Sequence, residues 1–133
     1  NKRIVSYMPQ HIKLSNSNLN FDLTSLNNSN KINFNNEHIK KLTNNLFGNV
    51  FQNYYNMNQM QFSGSEEKRI GFIRSIIDNP SILILDEPTE NLDIKNEQIM
   101  INEIINESKR RIVIISSHNK SFSENANALI NFE

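Results

Sequence analysis

The chain has 133 residues, 37% of them hydrophobic, with 14 basic residues balancing 14 acidic ones and no cysteine. That is the size of one modest domain with enough apolar content for a core, and no bulk field draws it to nucleic acid or to an anionic membrane. Disulfide frameworks and thiolate metal sites are excluded, no apolar run approaches the roughly 18–20 residues of a membrane span, and no signal peptide opens the chain.

Asparagine is the compositional anomaly, with 25 residues, 16 of them before position 61. With only two alanines beside them, these read as a biased codon choice and not as a functional tract. The three glycines, Gly48, Gly64 and Gly71, fall in neither a Gly-x-x-x-x-Gly-Lys-Ser/Thr phosphate loop nor a Gly-x-Gly-x-x-Gly dinucleotide turn. A first residue of Asn1 instead of methionine is read as the start of an excised piece or of a cleaved product.

In chain order, Arg3 to Tyr7 reads as a strand ended by Met8-Pro9. Residues 11–61 are polar and Asn-rich. Within them Glu37 to Tyr55 reads as a helix or a helix pair, because Ile39, Leu42, Leu46, Phe47, Val50, Phe51 and Tyr54 recur at three- and four-residue steps, with Gly48 interrupting. Ile70, Ile73, Ile76 and Ile77 give a helix face that Asp78-Asn79-Pro80 stops. Ile82 to Leu85 is apolar on both faces, as in a buried parallel strand. Asp93 is placed to cap a helix with a face of Ile94, Ile101, Ile104 and Ile105, and Ile112 to Ile115 is a second buried strand. Ala128-Leu129-Ile130 reads as the start of another. Strand–helix–strand with two fully apolar strands predicts a parallel α/β sheet.

Three constellations carry candidate chemistry. Asp86 and Glu87 end the first apolar strand, where ligands of open α/β sheets sit. There Asp86 suits Mg²⁺ and Glu87 suits a base for the water attacking a γ-phosphate; a polar turn punctuated by Pro88 is the plainer reading. His118 follows the second strand on the same rim and suits a phosphate donor or water-orienting group, or else is a solvated loop residue. His11 and His38 have no such placement. Ser63-Gly64-Ser65-Glu66 has the spacing of a capping box, and the same helix start offers free N–H groups to a phosphate.

Taken together, these segments resemble the ABC-type ATPase (ATP-binding cassette) family in order and spacing. Phe62 to Glu66 looks like its signature motif, Ile82 to Thr89 its Walker B strand, Asn91-Leu92-Asp93 its D-loop, His118 its switch histidine, and Tyr7 to Gln10 its Q-loop. Leu14 to Leu23 is similar to an exporter pattern, although the exporters' Gly-Glu segment has no counterpart in Asn56 to Gln61. The stretch between Gln10 and Ser63 is too short for the coiled coil of the chromosome-maintenance relatives.

The resemblance implies an incomplete P-loop NTPase core of parallel strands plus an α-helical subdomain. It divides the chain into a Q-loop strand (1–10), a helical subdomain with the signature (11–78), and the Walker B, D-loop and switch-histidine part of the α/β core (79–133). It implies ATP and Mg²⁺ as cofactors, Asp86 and Gln10 as metal ligands, Glu87 and His118 as catalytic residues, and Ser63, Gly64, Ser65, Glu66, Asp93 and Gln10 at the nucleotide. A second such domain would pair head to tail, so that Ser63 to Glu66 serve the partner's ATP. Transmembrane subunits would dock on the helical subdomain, placing the protein at the cytoplasmic face of the membrane, where ATP hydrolysis drives transport.

Departures are Phe62 for leucine, Ser65 for the second glycine and Glu66 for glutamine. An acid at about 7 Å from a phosphate charge costs roughly 2 kcal/mol at an effective dielectric near 20 unless compensated. The family's phosphate loop precedes the Q-loop, so the chain alone is expected not to bind ATP tighter than millimolar or to hydrolyse it. One face of its two apolar strands is expected to lack cover. The alternatives are a truncated, non-catalytic interaction module and a non-transport ATPase of the same family.

Overall fold

The structure is a computed structural model that describes residues 3–15, 18–24, 36–56 and 61–131. Three parallel strands, β1 (Val5–Met8), β2 (Ile82–Asp86) and β3 (Ile112–Ser116), form a sheet in the order β1-β2-β3. Around it run α1 (Leu19–Thr24), α2 (Glu37–Phe47), a 3₁₀ turn (Gly48–Val50), α3 (Phe51–Asn56), α4 (Gly64–Ile76), α5 (Ile94–Ser108) and α6 (Lys120–Ser123). None is long and apolar enough to cross a membrane among the described residues.

Local chemistry explains most boundaries. The Asn36 side chain accepts from the N–H groups of His38 and Ile39 and starts α2. Gly48, at φ 68°, ends α2 in a region that disfavours side chains, which resolves Glu37 to Tyr55 into two helices. Asp93 caps α5 by accepting from the Asn96 N–H at 2.7 Å. That bond is the first cause of a carboxyl held below its usual range.

The helices cover one face of the sheet. Met8, Leu83 and Leu85 are fully buried in a single apolar cluster with Ile70, Phe72, Ile73 and Ile76 of α4 and Met100, Ile101 and Ile104 of α5. Leu19, Leu23, Leu42 and Phe51 of the helical region belong to the same cluster. α4 lies against β1, α5 against β3, and α2 bridges α4 and α5.

Ile112 and Ile114 are 61% and 53% exposed, because the described residues place no layer on that side of the sheet, so β3 lacks cover on one face as expected. Two other expectations need correction. Ile94 is 88% exposed, since the first turn of α5 runs past the core and the buried stripe begins at Met100. Ala128 to Ile130 form no strand; they are exposed chain without a sheet partner.

Polar contacts fasten the layers. Arg111 bonds Glu107 Oε2 at 2.8 Å, Asn79 Oδ1 at 3.1 Å and the Pro80 carbonyl, stitching the start of β3 to the turn before β2. His38 Nε2 lies 2.6 Å from Glu107 Oε1, and Asn45 donates to Glu103 at 2.7 Å, so two α5 carboxylates anchor α2. Burial pushes the His38 pKa down despite Glu107, with Arg110 and Arg111 adding to the push, and burial raises that of Glu103.

Candidate functional site

β2 delivers Asp86 to the carboxyl edge of the sheet, in register with Ser116 at the end of β3. Side chains alternate along a strand, so Asp86 shares the open face with Ile84 and with Tyr7 of β1. The Tyr7 hydroxyl accordingly donates to Asp86 Oδ2 at 3.3 Å. Local desolvation and then the Asp86 charge push the Tyr7 pKa up.

Glu87 leaves the strand in the left-handed region, at φ 46°, with its N–H bonded to the Ser116 carbonyl at 2.8 Å. Such a conformation costs on the order of 1–3 kcal/mol for a side-chain-bearing residue. It turns the carboxylate toward the end of β3: Oε1 lies 3.5 Å from His118 Nε2, and Oε2 accepts from the His118 backbone N–H at 3.4 Å. The His118 imidazole is otherwise in solvent, while the Glu87 side chain is mostly buried. Asp86, Glu87 and His118 thus share one rim.

The second group sits at the start of α4. Ser63 Oγ accepts from the Glu66 N–H at 3.2 Å, and Glu66 Oε1 accepts from the Ser63 N–H at 3.0 Å, a complete capping box. The Glu66 carboxylate therefore has a donor and a favourable helix end beside it. Ser65 Oγ is buried without a partner. Phe62 packs edge-on against Tyr54 at 6.1 Å, and Tyr54 in turn against Phe47 at 6.2 Å. Arg69 covers Phe47 at 4.4 Å and donates to the Leu46 carbonyl at 2.8 Å, so the aromatic at position 62 belongs to a cluster that bolts α4 to α2 and α3.

Gln10 follows β1 and reaches the loop after β2, where its Nε2 donates to Glu90 Oε2 at 2.9 Å. Gln10, Gly64, Lys68 and Glu90 border a cleft of about 150 Å³. Small-molecule sites usually measure about 300–1,000 Å³, so this cleft does not by itself enclose a nucleotide. A wider hollow of about 660 Å³, beside Lys40, Lys41 and Phe51, is lined by none of the candidate residues. Asp93 is occupied as the cap of α5.

Among the described residues no group of three His, Cys, Asp or Glu can hold a metal ion. Asp86 and Gln10 nevertheless offer hard oxygen donors, and Mg²⁺ keeps several waters and takes only one or two protein oxygens beside phosphates. The donor set fits Mg²⁺ held together with a nucleotide, and does not fit a metal bound by the chain alone.

A family model described as ABC transporter matches residues 1–90. The chain belongs to the ABC transporter family. It is 39% identical over 59 residues to a probable ABC transporter ATP-binding/permease protein of Haemophilus influenzae, covering 44% of this chain and 11% of that protein. It is 41% identical over 68 residues to the alpha-hemolysin translocation ATP-binding protein HlyB of Escherichia coli O157:H7, covering 51% of this chain and 10% of that one. The chain thus spans about a tenth of these relatives. A bacterial Atm1-family ABC exporter solved with ATP bound superposes with a TM-score of 0.69 at 20% identity, over 89% of this chain and 21% of that one. The fold is that of an incomplete P-loop NTPase core with a helical part, and the chain is a segment of a transporter's nucleotide-binding domain.

Tyr7, Lys68, Glu90 and His38 are contacts that sequence reasoning assigned no role. The alternation of β1 against β2 carries a signal for Tyr7. Lys68 and Glu90 meet Gln10 across 58 and 80 residues, and no local pattern encodes that meeting.

Proposed function

We propose that this chain is the distal part of an ATPase domain that couples ATP hydrolysis to transport across a membrane. The observation that carries the reading is the Glu87 carboxylate, turned off the end of β2 to within 3.5 Å of the His118 imidazole and adjacent to Asp86. Glu87 accepts the proton of the attacking water, and His118 orients that water or donates to the departing phosphate. Asp86 and the Gln10 amide oxygen would hold Mg²⁺, which would supply charge neutralisation at the phosphate oxygens. Ser63 to Glu66 offer their helix start to the nucleotide of a second, head-to-tail domain, and Asp93 lies at that interface. In this reading residues 1–10, 11–78 and 79–133 are the Q-loop strand, the helical subdomain and the rest of the core. Transmembrane parts dock on the helical subdomain at the cytoplasmic membrane face.

A second reading, a non-catalytic interaction module, draws on the altered signature at Ser65 and Glu66 and on the uncovered face of the sheet at Ile112 and Ile114. The test is turnover in the full protein carrying this chain. Glu87→Gln keeps the shape and removes the base, so turnover should fall roughly 10²–10⁴-fold with MgATP binding retained. Hydrolysis at the parental rate would overturn the assignment of Glu87, and absence of MgATP binding in the parent would favour the module.

A further inference from the structure

The segment after β1 is fastened along α4 at three positions spaced one turn apart. Lys68 Nζ donates to the Gln10 carbonyl at 2.5 Å, Gly71 leaves room for the Ile12 side chain where a Cβ would collide with it, and Arg74 donates to the Lys13 carbonyl at 3.1 Å. The Gln10 side chain is held separately, by Glu90 at 2.9 Å. Lys68 is buried, and the charges of Glu90, Asp86 and Glu87 favour its ammonium against the desolvation that pulls its pKa down. One residue is therefore gripped twice, its backbone by a cation on α4 and its amide by an anion on the loop after β2.

We infer that Glu90 and Lys68 are positioning residues that fix which atom the Gln10 amide presents. An ionised carboxylate only accepts hydrogen bonds, whereas a primary amide has an accepting and a donating end. Beside Glu90, the amide must turn its NH₂ group toward the carboxylate and its Oε1 away. The oxygen is the end a hard cation requires. Without Glu90 the amide is free to rotate by half a turn and present nitrogen as often as oxygen. Lys68 restricts the remaining freedom by tethering the Gln10 backbone, and its charge offsets the acid that Glu90 adds to this rim. This inference rests on the role proposed above for Gln10, but the orientation itself requires no nucleotide.

The test uses the ¹⁵N,¹³C-labelled chain and the side-chain amide resonances of Gln10. A hydrogen bond to a charged group contributes about 1.5–3 kcal/mol, so Glu90→Ala should speed exchange of the Gln10 amide protons by about tenfold or more and move their shifts to those of a solvated glutamine. Glu90→Gln, which keeps the volume, should also lose the single fixed orientation. Lys68→Met should shift the Gln10 carbonyl carbon, and Lys68→Arg should restore it. Leu85 and Ile104 methyl shifts serve as the control for folding. Gln10 resonances that do not respond to either Glu90 variant would overturn the inference, whatever the ATPase result. In the full protein, Glu90→Ala should raise the Mg²⁺ concentration for half-maximal turnover several-fold while kcat at saturating Mg²⁺ stays near parental. If the resonances respond but Glu87→Gln turns over normally, the orientation stands and the catalytic reading falls.

Discussion

The two faces of the sheet are equally apolar in sequence and unequal in structure. Ser6, Met8, Leu83 and Leu85 point into the layer built by α4 and α5 and are buried, whereas Val5, Tyr7, Ile112 and Ile114 on the other side are 44–61% exposed. A hydrophobic run states what a strand is suited to bury, not what will cover it. The difference also bears on the site. Asp86 lies on the open side, which is why Tyr7 reaches it, while Gln10 is gripped through α4 from the covered side.

Truncating one residue on each face should separate the two most strongly. Leu83→Ala should destabilise the chain by about 2–5 kcal/mol, as expected for a fully buried leucine. Ile114→Ala should cost under about 1 kcal/mol because most of that side chain is already in water. Denaturant titration of both variants decides it, and equal losses would mean that the second face is covered in solution. Sedimentation of Ile114→Lys sharpens the result: an exposed apolar face drives association, which a charge there should reduce.

A smaller effect concerns how α2 is held. The pKa of His38 lies below its usual 6.5, so the folded chain takes up this proton less readily than the unfolded chain. Its contribution to stability is then complete above about pH 6.5 and is lost as pH falls through 6.5 toward the depressed folded value. The melting temperature should drop between about pH 7.5 and pH 5.5, and His38→Gln should flatten that part of the profile. A variant that melts with the parental pH dependence would remove His38 from the α2–α5 contact.

The smallest effect is at the start of α4. Ser63→Ala removes one half of the capping box and should cost about 1 kcal/mol, read as a shift in the denaturation midpoint at unchanged slope. A loss several times larger would mean that the aromatic cluster of Phe62, Tyr54 and Phe47 depends on the cap.

Local features are legible along the chain alone: the capped starts of α4 and α5, the break at Gly48, the parallel pair of apolar strands, and the spacing from Ser63 to His118 that marks the family. These are readable because caps, turns and strand periodicity act over a few residues of neighbouring chain. The sequence also placed Asp86, Glu87 and His118 on one rim, since parallel strands deliver their ends to the same edge. The packing of the layers alone determines that Glu87 turns to His118 through a left-handed backbone, which face of β3 is the open one, and that α2 hangs from Glu103 and Glu107. It likewise determines that Gln10 is held between Lys68 and Glu90, because these contacts join groups 58 and 80 residues apart and depend on how α4 and the loop after β2 pack around β1.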